Sequence, residues 1–407
     1  MSPFRLSVCV LLILAGTDGL VEKLGRRNAV PVVYLKGSHY DIGFDTGRLF
    51  ASVIKNFLVT YENLPDFEKE YATETGRGAY DKTLANMKNR YPQYVKEIQG
   101  IADGANVPFY KLFLLHLDDI IGTINDPKLP RADAGGCSSI GINTPDASVL
   151  GHNEDAFSAT LNHWYIVSAH VIPSPEEIQY GAVEERFASL CYAGQLPGYT
   201  MGHNENGLVF SINTLSALHL KPGGTPRTFI TRALLAAKSF AEAEKILRDE
   251  GLGAANGFSI NMIWSDAWGA RQLYNVEVAP EKTDKSARSA LNVHKYDKDS
   301  LVHCNIYQRL NVTEVIGPII DSSVARLSAI NHHKPPTNRR DVAAILSDTS
   351  GKTFTVWQGR PDTIIKTITT GIFDLDKRSW SIYIDQANNS EPVAVLPLRF
   401  TQLNELF

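Results

Sequence analysis

The chain has 407 residues, 43% of them hydrophobic, and 44 acidic against 40 Lys and Arg side chains give a net charge of −4. That length allows more than one average domain and fewer than three, and the apolar content supplies a large core. A nucleic-acid partner would leave a basic face or stripe, and the chain has no basic excess, heptads, repeat period or low-complexity tract.

The opening stretch "MSPFRLSVCVLLILAGTDGL" reads as a secretory signal over residues 1–19. Arg5 supplies positive charge, Leu6 to Ala15 form a short apolar run, and Gly16, Thr17 and Gly19 are small. The run is about half the ~20 apolar residues a membrane span requires, so no membrane span is expected. The expected location is secreted, lysosomal or vesicular; a buried helix in a cytoplasmic protein is the alternative. Sequons at Asn311 and Asn388 fit a secretory glycoprotein. Cys9 would leave with the signal, and an odd set remains, Cys137, Cys191 and Cys304, so the chain is no disulfide scaffold. It has no CxxC or HExxH pattern, and neither a metal nor a cofactor is expected.

Before Cys137 the pattern is helical. "GSHYDIGFDTGRLFASVIKNFLVTYENL" starts at Ser38 and places Ile42, Phe50, Val53, Ile54 and Phe57 on one stripe. A second helical stretch, "YDKTLANMKNRYPQYVKEIQGIADGAN", is interrupted at Pro92. A third, "PFYKLFLLHLDDIIGTI", opens on a proline at a permitted first-turn position. The polar loop "NDPKLPRADAGG" follows, of the exposed and cleavable kind.

After Cys137 short β-forming segments alternate with turn residues: "SSIGIN", "SVLGHNE", "WYIVSAHVI", "GLVFSINTL", "FSINMIWSD", "RQLYNVEVA", "LVHCNIY", "FTVWQGR" and "SWSIYID". One helical block, "TFITRALLAAKSFAEAEKILRDEG", ends at Gly251, and "RRDVAAILSD" predicts another helix. Strands grouped apart from helices predict an α+β fold with helices stacked on sheets, in one integrated unit.

The sequence "GGCSSIGI" sets Cys137 behind two glycines, and a core needs no such arrangement. A free thiol is a modest nucleophile at neutral pH and requires a base. If the chain began at Cys137, its own α-amine, with a pKa near 7.7–8.0, would be that base. The same thiol can create that end by attacking the Gly136 carbonyl, moving the acyl group from nitrogen to sulfur and leaving a thioester for water. Glycines at 135 and 136 tolerate the strained backbone this needs. Against this, a lone cysteine ahead of a strand is more often a small buried hydrophobe.

The segments "KGSHYDIGFDTG", "RYPQYVKEIQGIADGANV", "GGCSSIGI" with "VLGHNEDAF", "NENGLVFSINTLSALHL" and "LVHCN" occur here in order, and over most of Lys36 to Asp385 the chain resembles the acyl-coenzyme A:6-aminopenicillanic acid acyltransferase family of N-terminal nucleophile enzymes. The resemblance implies a four-layer αββα sandwich. It implies self-cleavage at Gly136–Cys137 into a mainly helical chain, 20–136, and a strand-rich catalytic chain, 137–407, that stay together as a heterodimer. Cys137 matches the nucleophile, and Asp155 an acidic residue that assists cleavage and orients the site. Asn305 matches an amide that donates to the oxyanion, although Ile306 stands where the family has a second histidine. Lys366 is the nearest match to a basic residue near the last strand pair. His152 and Glu154 are not assigned a catalytic role.

The implied activity is hydrolysis of small-molecule amides, with N-β-alanyl biogenic amines such as β-alanyl-dopamine and β-alanyl-histamine as the implied substrates. A carboxylate should then meet the β-alanyl ammonium, and Asp118 and Asp119 are the candidates. The rival readings are an acyltransferase using the same thioester, a fatty-acid amide hydrolase of the acid-ceramidase type, and a non-catalytic secreted binding protein.

Overall fold

A computed structural model describes residues 26–122, 136–266, 269–281, 287–360 and 363–400. The signal-like segment 1–19, the loop residues 125–135 with Gly135, and the side chain of Asp119 lie outside the described residues.

The chain enters on strand β1 (Val32–Gly37) and turns into helix α1 (His39–Leu49). Ser38 caps that helix: its hydroxyl accepts the Asp41 N–H at 3.2 Å while the Asp41 carboxylate accepts the Ser38 N–H at 3.0 Å, a reciprocal capping box. Helices α2 (Ala51–Thr60), α3 (Leu64–Tyr71), α4 (Glu74–Arg90), α5 (Pro92–Ala105), α6 (Phe109–Leu115) and α7 (Asp118–Gly122) follow. Pro92 therefore starts a helix as well as ending one, because a first-turn N–H has no intrahelical partner to lose.

The strand-rich part begins with β2 (Cys137–Asn143), β3 (Ser148–Phe157) and β4 (Trp164–Val171), then a short helix α8 (Pro175–Gln179). Strands β5 (Glu185–Tyr192), β6 (Met201–Asn204) and β7 (Leu208–Leu215) lead to helices α9 (Arg227–Leu234) and α10 (Phe240–Arg248). Strands β8 (Gly257–Ser265), β9 (Arg271–Pro280), β10 (Ser289–Tyr296) and β11 (Leu301–His303) precede helices α11 (Pro318–Asn331) and α12 (Arg339–Leu346). Strands β12 (Ile365–Asp374), β13 (Ser379–Tyr383) and β14 (Ala394–Pro397) complete the described chain.

Two sheets result. One runs β1-β4-β5-β6-β7-β8-β9-β10 and the other β11-β2-β3-β12-β13-β14. β1 lies parallel to β4, whereas the other pairings are antiparallel. Ile54, Ile98, Phe113, Phe210 and Phe258 belong to a core that joins helices α1–α7 to the first sheet. Leu150, Ile166, Leu190, Ile263 and Phe373 belong to a second core drawn from both sheets. Ile140, Val149, Ile330, Val342 and Ile372 join the second sheet to α11 and α12.

The N-terminal helices are fastened in two ways. Helices α1 and α5 meet through glycines. A Cβ added at Gly43 would lie 2.1 Å from the Glu97 carbonyl oxygen, and one at Gly104 would lie 2.0 Å from that of Phe44. Beside this contact, fully buried Arg232 on α9 reaches Glu97 at 2.9 Å and Glu185 at 2.7 Å, and buried His39 sits 3.2 Å from Glu177 and 3.3 Å from Glu185. Burial alone would lower the His39 pKa, but hydrogen bonds to Glu177 and Glu185 and the Glu185 charge override it and raise it to about 9.

Three expectations change. "FTVWQGR" is not a strand: it runs as a loop in which the Trp357 N–H donates to the Asp348 carbonyl and the Gln358 carbonyl accepts from Thr367. The block ending at Gly251 is two helices, broken where Ser239 caps α10, and Asp249, at φ 43°, ends it before Gly251. Gly136 has no positive φ among the described residues, so its requirement is space, as shown below.

Replacing Gly43 with Ala forces the α1–α5 pair apart and should cost about 1–3 kcal/mol. Gly78→Ala on the exposed face of α4, where a Cβ meets nothing within 4 Å, should stabilise by about 0.5–1 kcal/mol. Urea denaturation of both variants checks the opposite signs.

Candidate active site

β2 opens on Cys137, and its antiparallel register sets Cys137 opposite Glu154 and Ser139 opposite His152 on β3. On its other edge β3 pairs with β12, where the ladder slips between Thr367 and Thr369, opposite Asp155 and Glu154. Neighbouring residues on a regular strand point to opposite faces, but a bulge re-aims side chains. Glu154 and Asp155 here line one cavity with Cys137.

Cys137 is held at both ends of its backbone. Its N–H donates to Asn305 Oδ1 at 2.7 Å, and its carbonyl accepts from Arg326 Nη1 at 2.5 Å. Arg326, fully buried on α11, also donates from Nη1 to Ser138 Oγ at 3.0 Å and from Nη2 to Asn305 Oδ1 at 2.8 Å and Ser323 Oγ at 3.3 Å. Its Nε donates to Ser322 Oγ at 3.1 Å. Because Arg326 and the Cys137 N–H can only donate, the oxygen end of Asn305 faces them. The Asn305 amide nitrogen points to the Thr214 carbonyl at 3.0 Å, so the end expected to meet an oxyanion faces β7 in this structure. Gly136 packs under the same guanidinium: a Cβ there would lie 2.6 Å from Arg326 Nη2.

The Cys137 Sγ lies 3.7 Å from Glu154 Oε2. Burial pushes the thiol well above its ordinary range, the Glu154 and Asp155 charges add to that, and the Asp155 backbone N–H and Arg326 oppose it. Cys137 is therefore a neutral thiol here and needs a base to react. Glu154 Oε1 accepts the Tyr192 hydroxyl, Oε2 lies 2.9 Å from His152 Nε2, and His152 Nδ1 lies 2.8 Å from Ser139 Oγ. Asp155 Oδ1 accepts the Thr367 hydroxyl, and its Oδ2 has no hydrogen-bond partner among the described residues. Burial raises the Asp155 pKa to about 8, against the pull of Arg326 and Thr367.

The cavity has a volume of about 50 Å³, and its lining includes Cys137, Asp118, Glu154, Asp155, Tyr192 and Tyr199 but no Lys or Arg. The Asp118 Oδ2 accepts from Arg227 Nη2 at 2.9 Å. The donor atoms of Cys137, His152 and Glu154 lie within 4.8 Å of one another, close enough to share a metal ion, and their separations are those of the hydrogen bonds just described.

Cys137, Asp155 and Asn305, separated by up to 168 residues, are thus brought together around one thiol. Lys366 is not. Its ammonium donates to the Arg360 carbonyl and lies 3.4 Å from Thr363 Oγ1, outside the cavity lining. The basic group at Cys137 is Arg326, which sequence reasoning missed. A signal existed in "PIIDSSVARLSAIN": Ser322, Ser323 and Arg326 share the buried face of α11 with Ile319 and Ile330, and an arginine on an apolar stripe needs a partner.

The family model for acyl-coenzyme A:6-aminopenicillanic acid acyl-transferase matches residues 142–389, a span that starts five residues after Cys137 and contains Asp155, Asn305 and Arg326. The chain is 44% identical over 382 residues to the beta-alanyl-dopamine/carcinine hydrolase of Drosophila melanogaster, covering 93% of this chain and 98% of that protein. It is 25% identical over 198 residues to the 40 kDa form of the acyl-coenzyme A:6-aminopenicillanic-acid-acyltransferase of Emericella nidulans, covering 48% of each.

The raised Asp155 pKa sets a pH dependence. An exposed aspartate titrates near 3.9, so the folded state holds a proton that the unfolded chain releases. The resulting stability is complete below about pH 4 and is lost as pH rises towards about 8. Measured in a Cys137→Ala background, Asp155→Asn should gain stability relative to Asp155 between pH 5 and pH 8. Urea midpoints at the two pH values give the difference, and an equal gap at both would contradict it.

Proposed function

Since the chain belongs to the acyl-coenzyme A:6-aminopenicillanic acid acyl-transferase family, and is an enzyme on that ground, we propose that it is a self-processed amidohydrolase of N-β-alanyl biogenic amines, with β-alanyl-dopamine and carcinine as its substrates. The observation that carries the reading is the clamp on Cys137: a thiol whose own backbone nitrogen is fixed by Asn305 and whose carbonyl is fixed by Arg326. In the proposed cleavage the Cys137 sulfur attacks the Gly136 carbonyl and the acyl group moves from nitrogen to sulfur. Water hydrolyses the thioester, giving chains 20–136 and 137–407. The freed amine of Cys137 stays beside Asn305 Oδ1 and becomes the base that thiol activation requires.

In turnover the amine takes the thiol proton and the thiolate attacks the substrate amide. The proton passes to the leaving amine, and water releases β-alanine from the thioester. The Glu154 carboxylate, in the cavity lining and 3.7 Å from the Cys137 sulfur, supports a positively charged acyl group. The stacking of helices α1–α7, two sheets and helices α11–α12 around three cores supports reading the fold as the αββα sandwich of N-terminal nucleophile hydrolases.

On a denaturing gel the purified protein should run as two pieces, the larger with an N-terminus reading Cys-Ser-Ser. Cys137→Ala should run as one band and release no dopamine from N-β-alanyl-dopamine. A single band for active wild type would refute the self-cleavage.

A further inference from the structure

We propose that Glu154, and not Asp118, is the anchor for the ammonium group of the substrate's acyl chain, and that it selects ω-amino acyl groups of β-alanyl length. The inference rests on the β-alanyl amide reading given above and names the residue that enforces it.

Glu154 stands opposite Cys137 in the β2–β3 register, and its Oε2 is 3.7 Å from the nucleophilic sulfur. In the uncut chain that oxygen faces two neighbours, the Cys137 thiol and His152 Nε2 at 2.9 Å. Acylation removes the thiol hydrogen. The sulfur of a thioester donates nothing, so Glu154 Oε2 loses a donor at the moment the acyl group arrives. A β-alanyl group carries its ammonium four bonds from that sulfur, and an oxygen this near the sulfur is within its reach. The incoming cation replaces the lost donor, and the acyl-enzyme keeps the carboxylate satisfied inside a buried site, where an unfilled charged acceptor is costly. The Tyr192 hydroxyl on Oε1 fixes the carboxylate from its other side. The Tyr192 and Tyr199 rings, edge to face at 5.7 Å, line the same cavity, and aromatic faces favour a cation.

The other acids of the cavity are less suited. Asp118 Oδ2 is already paired with the buried guanidinium of Arg227. Asp155 bonds Thr367, and its burial favours the protonated, uncharged form. Glu154 is also the one drawn against the sulfur by strand pairing, so its distance to the acyl carbon is set by backbone register.

The test compares three dopamine amides that differ only in the acyl group: β-alanyl, γ-aminobutyryl and butanoyl, the last with a methyl in place of the ammonium. Dopamine release gives kcat/KM for processed wild type, Glu154→Asp, Tyr192→Phe and Asp118→Asn. Wild type should prefer β-alanyl over butanoyl by about 100-fold or more, as a site built around a polar group rejects an analogue lacking it. Glu154→Asp withdraws the carboxylate by one methylene and should move the optimum from β-alanyl towards γ-aminobutyryl. Tyr192→Phe, which keeps the Glu154 charge and loses its support, should lower the ratio of β-alanyl to butanoyl efficiency. Asp118→Asn should keep the wild-type ratios. Equal wild-type efficiency on β-alanyl and butanoyl amides, whatever the variants do, overturns the anchor. So does a wild-type acyl preference in both Glu154→Asp and Tyr192→Phe, or a loss of preference confined to Asp118→Asn. Wild type that cleaves none of the three refutes the amidase reading itself, which is a different result from cleaving all three alike.

Discussion

The guanidinium of Arg326 organises this site. Its three nitrogens make five hydrogen bonds, to the Cys137 carbonyl, Ser138, Asn305, Ser322 and Ser323. An arginine has five N–H donors in a rigid planar fork, and a buried one is tolerated only when they are used. The constraint also runs outward. Satisfying Arg326 forces the Asn305 amide to present its oxygen, and that oxygen then fixes the Cys137 nitrogen. It requires two serines one turn back on α11 and a residue without a Cβ at 136. A lysine has one nitrogen and no plane, and could not hold these five acceptors together.

Two adjacent carboxylates, Glu154 and Asp155, share this setting with different consequences. The β3–β12 ladder slips opposite them, and both line the cavity. Glu154 gathers the Tyr192 hydroxyl, a His152 ring nitrogen and the thiol. Asp155 has Thr367 on one oxygen and nothing described on the other, and burial drives its pKa up. The two acids thus differ in partners: Glu154 is held on both oxygens, whereas Asp155 is held on one and its burial favours the protonated form.

How much of this was legible in the sequence depends on which force fixed each residue. Cys137, Asp155 and Asn305 could be read because they sit in local patterns that occur in order along the chain. The glycines of α1 and α5 lie in the two N-terminal segments of the same series, where close helix contact demands them. Arg326 sits in a helix that the strand-rich pattern concealed, and its position matters only through contacts with residues about 20 and 190 places away. Lys366 has the expected charge on the expected strand, but its ammonium is taken by the Arg360 carbonyl. His152 and Glu154 were left without a role because strand alternation alone does not say which face of β3 meets solvent, and the pairing with β2 that sets Glu154 opposite Cys137 cannot be read from β3 itself. "FTVWQGR" has strand composition yet serves as a loop, with the Val356 carbonyl accepting from the buried Asn153 side chain; composition reports burial here better than pairing.

A chain that cuts itself between Gly136 and Cys137 must also keep its two pieces together, and the charge distribution bears on that requirement. The buried ionic contacts of the helical part cross the proposed cut. His39 pairs with Glu177 and Glu185 and Glu97 with Arg232, while the partly exposed Arg90 reaches buried Asp249. Removing the helical piece would strip Arg232 of Glu97, and uncovering or orphaning one member of a buried ion pair costs about 3–5 kcal/mol. It would also take β1 from beside β4 and expose the β4 edge, a template for unwanted pairing. The core shared by α1–α7 and the first sheet would open to water along its whole length. Breaking one peptide bond removes none of these contacts, so the proposed cut at 136–137 would leave in place what holds the two pieces together.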